Sequence, residues 1–151
     1  LATHNDEFRS IALESFDFLL TKLFANKQLR LISNQGWHPR EQEKISAPGG
    51  EQPIDAAYTV MALERFYNAT KRDAYKQKAQ IAFSWFLGNN HLNQMVYNPS
   101  TGGCYDGLEE FNVNLNQGAE STISYLMARL AYQRINAVAK NSGLRNSLIV
   151  Q

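Results

Sequence analysis

Two stretches of this chain resemble one another, and each opens a helix poor in charge directly after a long glycine-rich loop. They are Gly50-Glu51-Gln52-Pro53-Ile54-Asp55-Ala56-Ala57-Tyr58-Thr59-Val60-Met61-Ala62-Leu63 and Gly118-Ala119-Glu120-Ser121-Thr122-Ile123-Ser124-Tyr125-Leu126-Met127-Ala128-Arg129-Leu130. Setting Tyr58 on Tyr125 matches the apolar pattern and brings the acidic starts close together. Helical pairs that cannot bury their faces alone must stack on neighbours. The pattern therefore leads to an all-α fold of helical hairpins forming part of an α/α toroid, an incomplete α/α barrel. In such a fold the apolar helices are the inner ones, and the loops entering them collect on one rim. A plain four-helix arrangement with chance similarity at two helix starts is the competing expectation.

Four helices can be read along the chain. The first spans about Asn5 to Phe24, with Phe8, Ala12, Phe16, Leu19, Leu20 and Leu23 at helical spacing as its buried stripe. Leu29 to Ile32 is a short apolar run that suits an extended segment. The second helix begins near Pro53, a good first-turn residue because its missing N–H has no helical partner there. It is apolar around most of its circumference, as buried helices are. A break at Thr70 to Arg72 precedes an amphipathic third helix from about Asp73 to Leu87, stopped by Gly88. The fourth runs from about Gln117 to Val138, with Ile123, Leu126, Met127, Leu130 and Ile135 as its buried set, and ends at Asn141 and Gly143. Between these helices lie two long polar loops, Ser33 to Gln52 and about His91 to Asn116. Loops of that length inside a compact domain are usually functional.

Composition excludes several classes. Apolar residues at 44% and charged residues at 19% are ordinary for a globular chain and argue against disorder. The 151 residues suffice for one domain, residues 1–151, with a real core. Net charge is +1 with no basic stripe, so no nucleic-acid partner is expected. No apolar run approaches the roughly 20 residues of a membrane helix. A cytoplasmic chain that does not enter the membrane is the expectation. The first residue is Leu1 rather than Met, which suggests a piece of a longer protein. Cys104 has no partner for a disulfide and reads as a small residue packed in its loop. His4, His38 and His91 are scattered, so neither a metal site nor a cofactor is expected.

The chemistry-bearing residues gather at the helix starts and in the loops. Glu51, Asp55 and Glu120 are acidic groups at helix starts, and Asp106 precedes the fourth helix. Trp37, Tyr97 and Tyr105 lie in the loops, with Asn114, Asn116 and Gln117 nearby. Aromatic faces cover the C–H face of a sugar ring while carboxylates and amides bind its hydroxyls. Paired carboxylates also serve acid–base chemistry on glycosidic bonds. Each residue has a simpler role as well. Glu51 and Glu120 can complement helix dipoles, Asp55 and Thr122 can bond at helix starts, and Asp106 before Gly107 is a turn signature. Trp37 can anchor its loop, and Trp85, beside Phe83 and Phe86, reads as core.

The strings Gly36-Trp37, Gln52-Pro53-Ile54-Asp55-Ala56, Trp85-Phe86-Leu87-Gly88-Asn89-Asn90, Thr101-Gly102-Gly103-Cys104-Tyr105-Asp106-Gly107-Leu108 and Asn114-Leu115-Asn116-Gln117-Gly118-Ala119-Glu120-Ser121-Thr122 resemble a helical region C-terminal to the catalytic domain of some bacterial glycosyltransferases. That region is similar to six-hairpin, α/α-toroid glycosidase-like folds. The resemblance covers roughly residues 5 to 135. It implies that sugar transfer belongs to a nucleotide-sugar-binding domain elsewhere, since no Rossmann-like βαβ pattern is present. It also makes Asp106, Asn116, Gln117 and Glu120, which match its motif positions, the first site candidates.

The functional expectation is a carbohydrate-handling helical domain that binds glycan or acceptor at the rim. Asp106 and Glu120 are the candidate catalytic pair. Trp37, Glu51, Asp55, Tyr105, Asn116 and Gln117 are the candidate binding residues. The expected partners are carbohydrate, the missing glycosyltransferase domain and a second copy of the chain. An enzyme cleaving glycosidic bonds and a structural or dimerisation module are the alternatives.

Overall fold

In the first helix, α1 (Asp6–Leu23), the cap is visible. Asn5 is extended, and its side-chain oxygen accepts from the backbone N–H groups of Glu7 and Phe8 at 2.9 and 3.3 Å. Two donors that the first turn leaves unpaired are thereby satisfied. The computed structural model describes residues 5–33 and 48–147, with side chains as far as residue 137. Trp37 and most of the first long loop lie outside the described residues.

After α1 the chain makes a small antiparallel hairpin of β1 (Phe24–Ala25) and β2 (Gln28–Leu29). Asn26 and Lys27 turn it with positive φ at both positions, the conformation that matches strand twist in a two-residue turn. Leu29, which ends β2, and Leu31 beyond it are buried.

The second helix, α2 (Pro53–Thr70), starts with proline in its first turn and ends at Lys71, which takes a left-handed conformation. α3 (Asp73–Ser84) passes into a tighter 3₁₀ turn, Trp85–Leu87, closed by Gly88 at φ 104°. A residue with a side chain is strained there, which is why glycine ends the helix. The second long loop is more ordered than expected. It contains a hairpin of β3 (Gly107–Leu108) and β4 (Val113–Asn114). α4 (Ala119–Ser147) runs on through Asn141 and Gly143, because an interior glycine weakens a helix by about 1 kcal/mol without forcing it to stop. The chain is thus mostly helical, an all-α protein with four α-helices among the described residues.

α2 is the central element and packs broadly on both α3 and α4. Trp85 and Phe86 are fully buried beneath it. Rings bind the layers together: Phe83 stacks on Tyr132 at 4.5 Å, Tyr97 on Tyr125 at 4.3 Å, and Phe16 of α1 on Phe66 of α2 at 4.1 Å. α2 and α4 lie side by side and parallel. Ile54 and Glu120 line one groove near their starts, and Glu64 meets Arg134 further along.

Two expected buried stripes need correction. On α4, Ile135 is buried, but Ile123, Leu126, Met127 and Leu130 are exposed. The inward face carries Ser121, Ser124, Tyr125, Ala128 and Ala131 instead. Small residues at these positions let α4 approach α2, where Ala57 and Val60 are also buried. On α1 only Phe16, Leu20 and Leu23 are buried, while Phe8, Ala12 and Leu19 are exposed. Among the described residues nothing covers the first turns of that helix.

Glu64 is the buried charge of α2, and the half-exposed Arg134 holds both its oxygens at 2.6 and 2.9 Å. Removing the guanidinium strands a buried carboxylate, so Arg134→Met should cost about 2 kcal/mol in urea unfolding. The double variant Glu64→Leu/Arg134→Met should cost less than the single one, because no charge is left unpaired. Additive losses would contradict this account of the pair.

Candidate functional site

The site begins with backbone pairing between the two loops. Glu51 N–H donates to Leu108 O at 3.0 Å, and Leu108 N–H donates to Glu51 O at 2.9 Å. The end of the first loop thus becomes a third rung beside β3 and β4. Two glycines allow the approach. Gly49 has φ 115°, and a Cβ there would lie 2.5 Å from the Glu110 backbone nitrogen. A Cβ at Gly107 would strike the Glu51 carbonyl oxygen.

This rung carries Glu51 under the loop, where it is buried. Trp85 Nε1–H donates to its Oε2 at 2.7 Å. His91 Nδ1 lies 3.2 Å from Oε1 and has no hydrogen-bond partner among the described residues. The second ring nitrogen, Nε2, lies 3.0 Å from the Glu109 carbonyl oxygen. A carbonyl only accepts, so Nε2 carries a proton. Burial pushes the Glu51 carboxyl up from its ordinary value, partly offset by Trp85 and His91.

Asp106 sits in the opposite environment. Its Oδ1 accepts from Gly118 N–H and Ser121 Oγ–H, each at 2.7 Å. Its Oδ2 accepts a short hydrogen bond from Asn116 Nδ2. These donors, Ser121 first, hold its carboxyl below the ordinary value against a smaller desolvation effect. Asp106 therefore clips the loop to the start of α4 and satisfies donors there, as a capping residue does.

The groups around these two carboxylates form an open cleft of about 380 Å³ at the N-terminal ends of α2 and α4. Glu51, Gln52, Asp106, Asn114 and Glu120 are among its lining residues. Glu120 is exposed in the first turn of α4. Asp55 lies in the first turn of α2, and its carboxyl is raised by burial and then by the nearby Glu120 charge.

The sequence-predicted residues thus divide. Glu51, Asp106 and Glu120 share the cleft. Asn116 reaches it through Asp106. Gln117 Oε1 instead accepts from Thr101 Oγ1–H at 2.7 Å, bracing the loop. The Tyr105 hydroxyl accepts from Asn98 Nδ2–H at 2.9 Å, and its ring packs against the core. Tyr97 is likewise a core ring. Cys104 is buried, and burial pushes its thiol up to about 12, so it is a packed residue rather than a nucleophile. Sequence reading missed His91 and the second role of Trp85. A buried indole N–H needs an acceptor, and that requirement was the available signal.

Among the described residues no group of three or more His, Cys, Asp or Glu side chains could hold a metal ion. No described helix is long and apolar enough to cross a membrane. No family model and no curated protein matches the chain.

The two carboxylates should shape stability in opposite directions. Glu51 has a raised folded value, so its contribution is full below its unfolded value near 4.5 and declines as pH rises through the folded value. Glu51→Gln should abolish that decline in urea unfolding measured across pH. Asp106 has a lowered folded value, so its contribution is present above 3.8 and is lost as pH falls through the folded value. The stability gap between the protein and Asp106→Ala, about 1 kcal/mol near neutrality for a lost cap, should close in acid. A gap that is constant with pH would contradict the hydrogen-bonding scheme around Asp106.

Proposed function

We propose that this chain is a carbohydrate-handling domain, part of an α/α toroid, belonging to a glycosyltransferase-type protein. In this reading it binds glycan or an acceptor sugar in the cleft between the starts of α2 and α4. The observation that carries the proposal is the convergence of Glu51, Gln52, Asn114 and Glu120 on one open polar cleft. Its volume, about 380 Å³, falls toward the lower end of small-ligand sites, about 300–1,000 Å³. Carboxylates and amides accept from and donate to sugar hydroxyls, and the exposed Glu120 and Gln52 side chains make no hydrogen bond among the described residues, while Asn114 Oδ1 accepts from Asn116 N–H at 3.2 Å. The parallel pairing of α2 and α4, each entered from the same loop-rich end, supports the toroid.

A second reading, cleavage of a glycosidic bond, is favoured by one feature. Glu51 is a buried carboxyl with a raised value, and Glu120 is a solvated one beside it in the cleft. Two carboxylates in contrasting environments are what an acid and its partner require. In that chemistry Glu51 is the proton donor and Glu120 the second carboxylate. Asp106, whose hydrogen-bond donors hold its carboxyl below the ordinary value, becomes a positioning residue.

Calorimetric titration with a panel of neutral and acidic oligosaccharides tests the binding claim. The protein should bind at least one glycan class. Glu120→Gln should weaken binding roughly tenfold, the loss of about one charge-assisted hydrogen bond, with an unchanged melting temperature. No heat from any glycan would overturn the proposal.

A further inference from the structure

The exposed residues of α4 follow the internal repeat. With Tyr58 set on Tyr125, the α4 residues Ile123, Leu126, Met127 and Leu130 correspond to Ala56, Thr59, Val60 and Leu63 of α2. The α2 set is buried, with exposures of 7% or less, whereas the α4 set is 41–56% exposed. The same face is thus covered in the first unit and bare in the second, yet it carries larger apolar side chains where it is bare. Single exposed apolar residues are ordinary, but a contiguous strip marks an interaction surface.

The strip extends onto α2. Tyr58, which is 59% exposed, and Met61 face Ile123 and Met127 across a groove of about 250 Å³ between the parallel helices. The charges at its two ends differ. Asp55 and Glu120 stand at the N-terminal end, close enough for the Glu120 charge to act on Asp55. Arg65 lies seven residues beyond Tyr58 and so on the same helical stripe. It is exposed and makes no ion pair among the described residues.

We infer that this groove is the contact surface for a second copy of the chain, packed antiparallel across a two-fold axis. That arrangement places the Asp55–Glu120 end of each copy over Arg65 of the other and buries both apolar strips at once. A two-fold interface uses one patch twice, so the patch must complement itself. This groove does, with an acidic end, an apolar middle and a cationic end. A parallel pairing would instead set the two acidic ends together, where like charges repel. The groove and the polar cleft meet at Glu120, so the dimer is tested through Ile123, Met127, Arg65 and Asp55 rather than through Glu120.

Size-exclusion chromatography with light scattering on the full chain tests it. At about 100 μM, where a micromolar interface is saturated, the protein should run as a dimer. Ile123→Glu/Met127→Glu should run as a monomer with an unchanged circular dichroism spectrum. Arg65→Glu, a surface change that leaves the core untouched, should weaken the dimer roughly tenfold or more, and Arg65→Glu/Asp55→Lys should recover it. A monomeric protein at that concentration would overturn the inference. So would a dimer unaffected by Ile123→Glu/Met127→Glu, or a charge swap that recovers nothing.

Discussion

The reciprocal backbone pair between Glu51 and Leu108 is the contact on which the site depends. It joins two loops that are more than fifty residues apart in sequence, at 3.0 and 2.9 Å. Glu51 is also the residue just before the α2 cap, so the same pair fixes where α2 begins relative to the β3–β4 hairpin. Gly49 and Gly107 are required because the two backbones pass too close for a Cβ. From the far side Asp106 ties the same hairpin to α4. Two helix starts and two loops are thereby held around one cleft by backbone and capping bonds.

That arrangement separates the roles of the acidic residues. Glu51 is drawn inward against Trp85 and His91, where burial disfavours its charge. Asp106 is surrounded by donors that favour its charge. Glu120 remains at the solvated edge. Three carboxyl groups within one small region therefore have three different environments, and the proposed sugar chemistry uses that difference. In that reading a polyhydroxylated ligand would meet solvated acceptors first and the buried Glu51 carboxyl deeper in the cleft.

Much of this is legible in the sequence, for identifiable reasons. Helix starts are marked by local chemistry, so Asn5, Pro53 and Gly88 fall within a residue or two of the observed boundaries. The gathering of Glu51, Asp106 and Glu120 followed from the repeat and from the loop composition. Side-chain direction on α4 was not legible. Periodicity favours the largest apolar residues as the buried ones, but a parallel neighbour at close range selects Ser124, Ala128 and Ala131 instead. Glu51 illustrates a second limit. A glutamate before a helix reads as a dipole partner, and only the tertiary approach of Trp85 and His91 buries it.

In the proposed reading the ligand site is the cleft rather than the apolar groove. Backbone amide chemical shifts of the isotopically labelled protein, followed during titration with an oligosaccharide, test this most directly. The account predicts progressive shifts at Glu51, Gly107, Leu108 and Gly118 through Ser121, with Tyr58, Met61 and Met127 unmoved. Shifts confined to the groove residues, or none anywhere under saturating sugar, would contradict it.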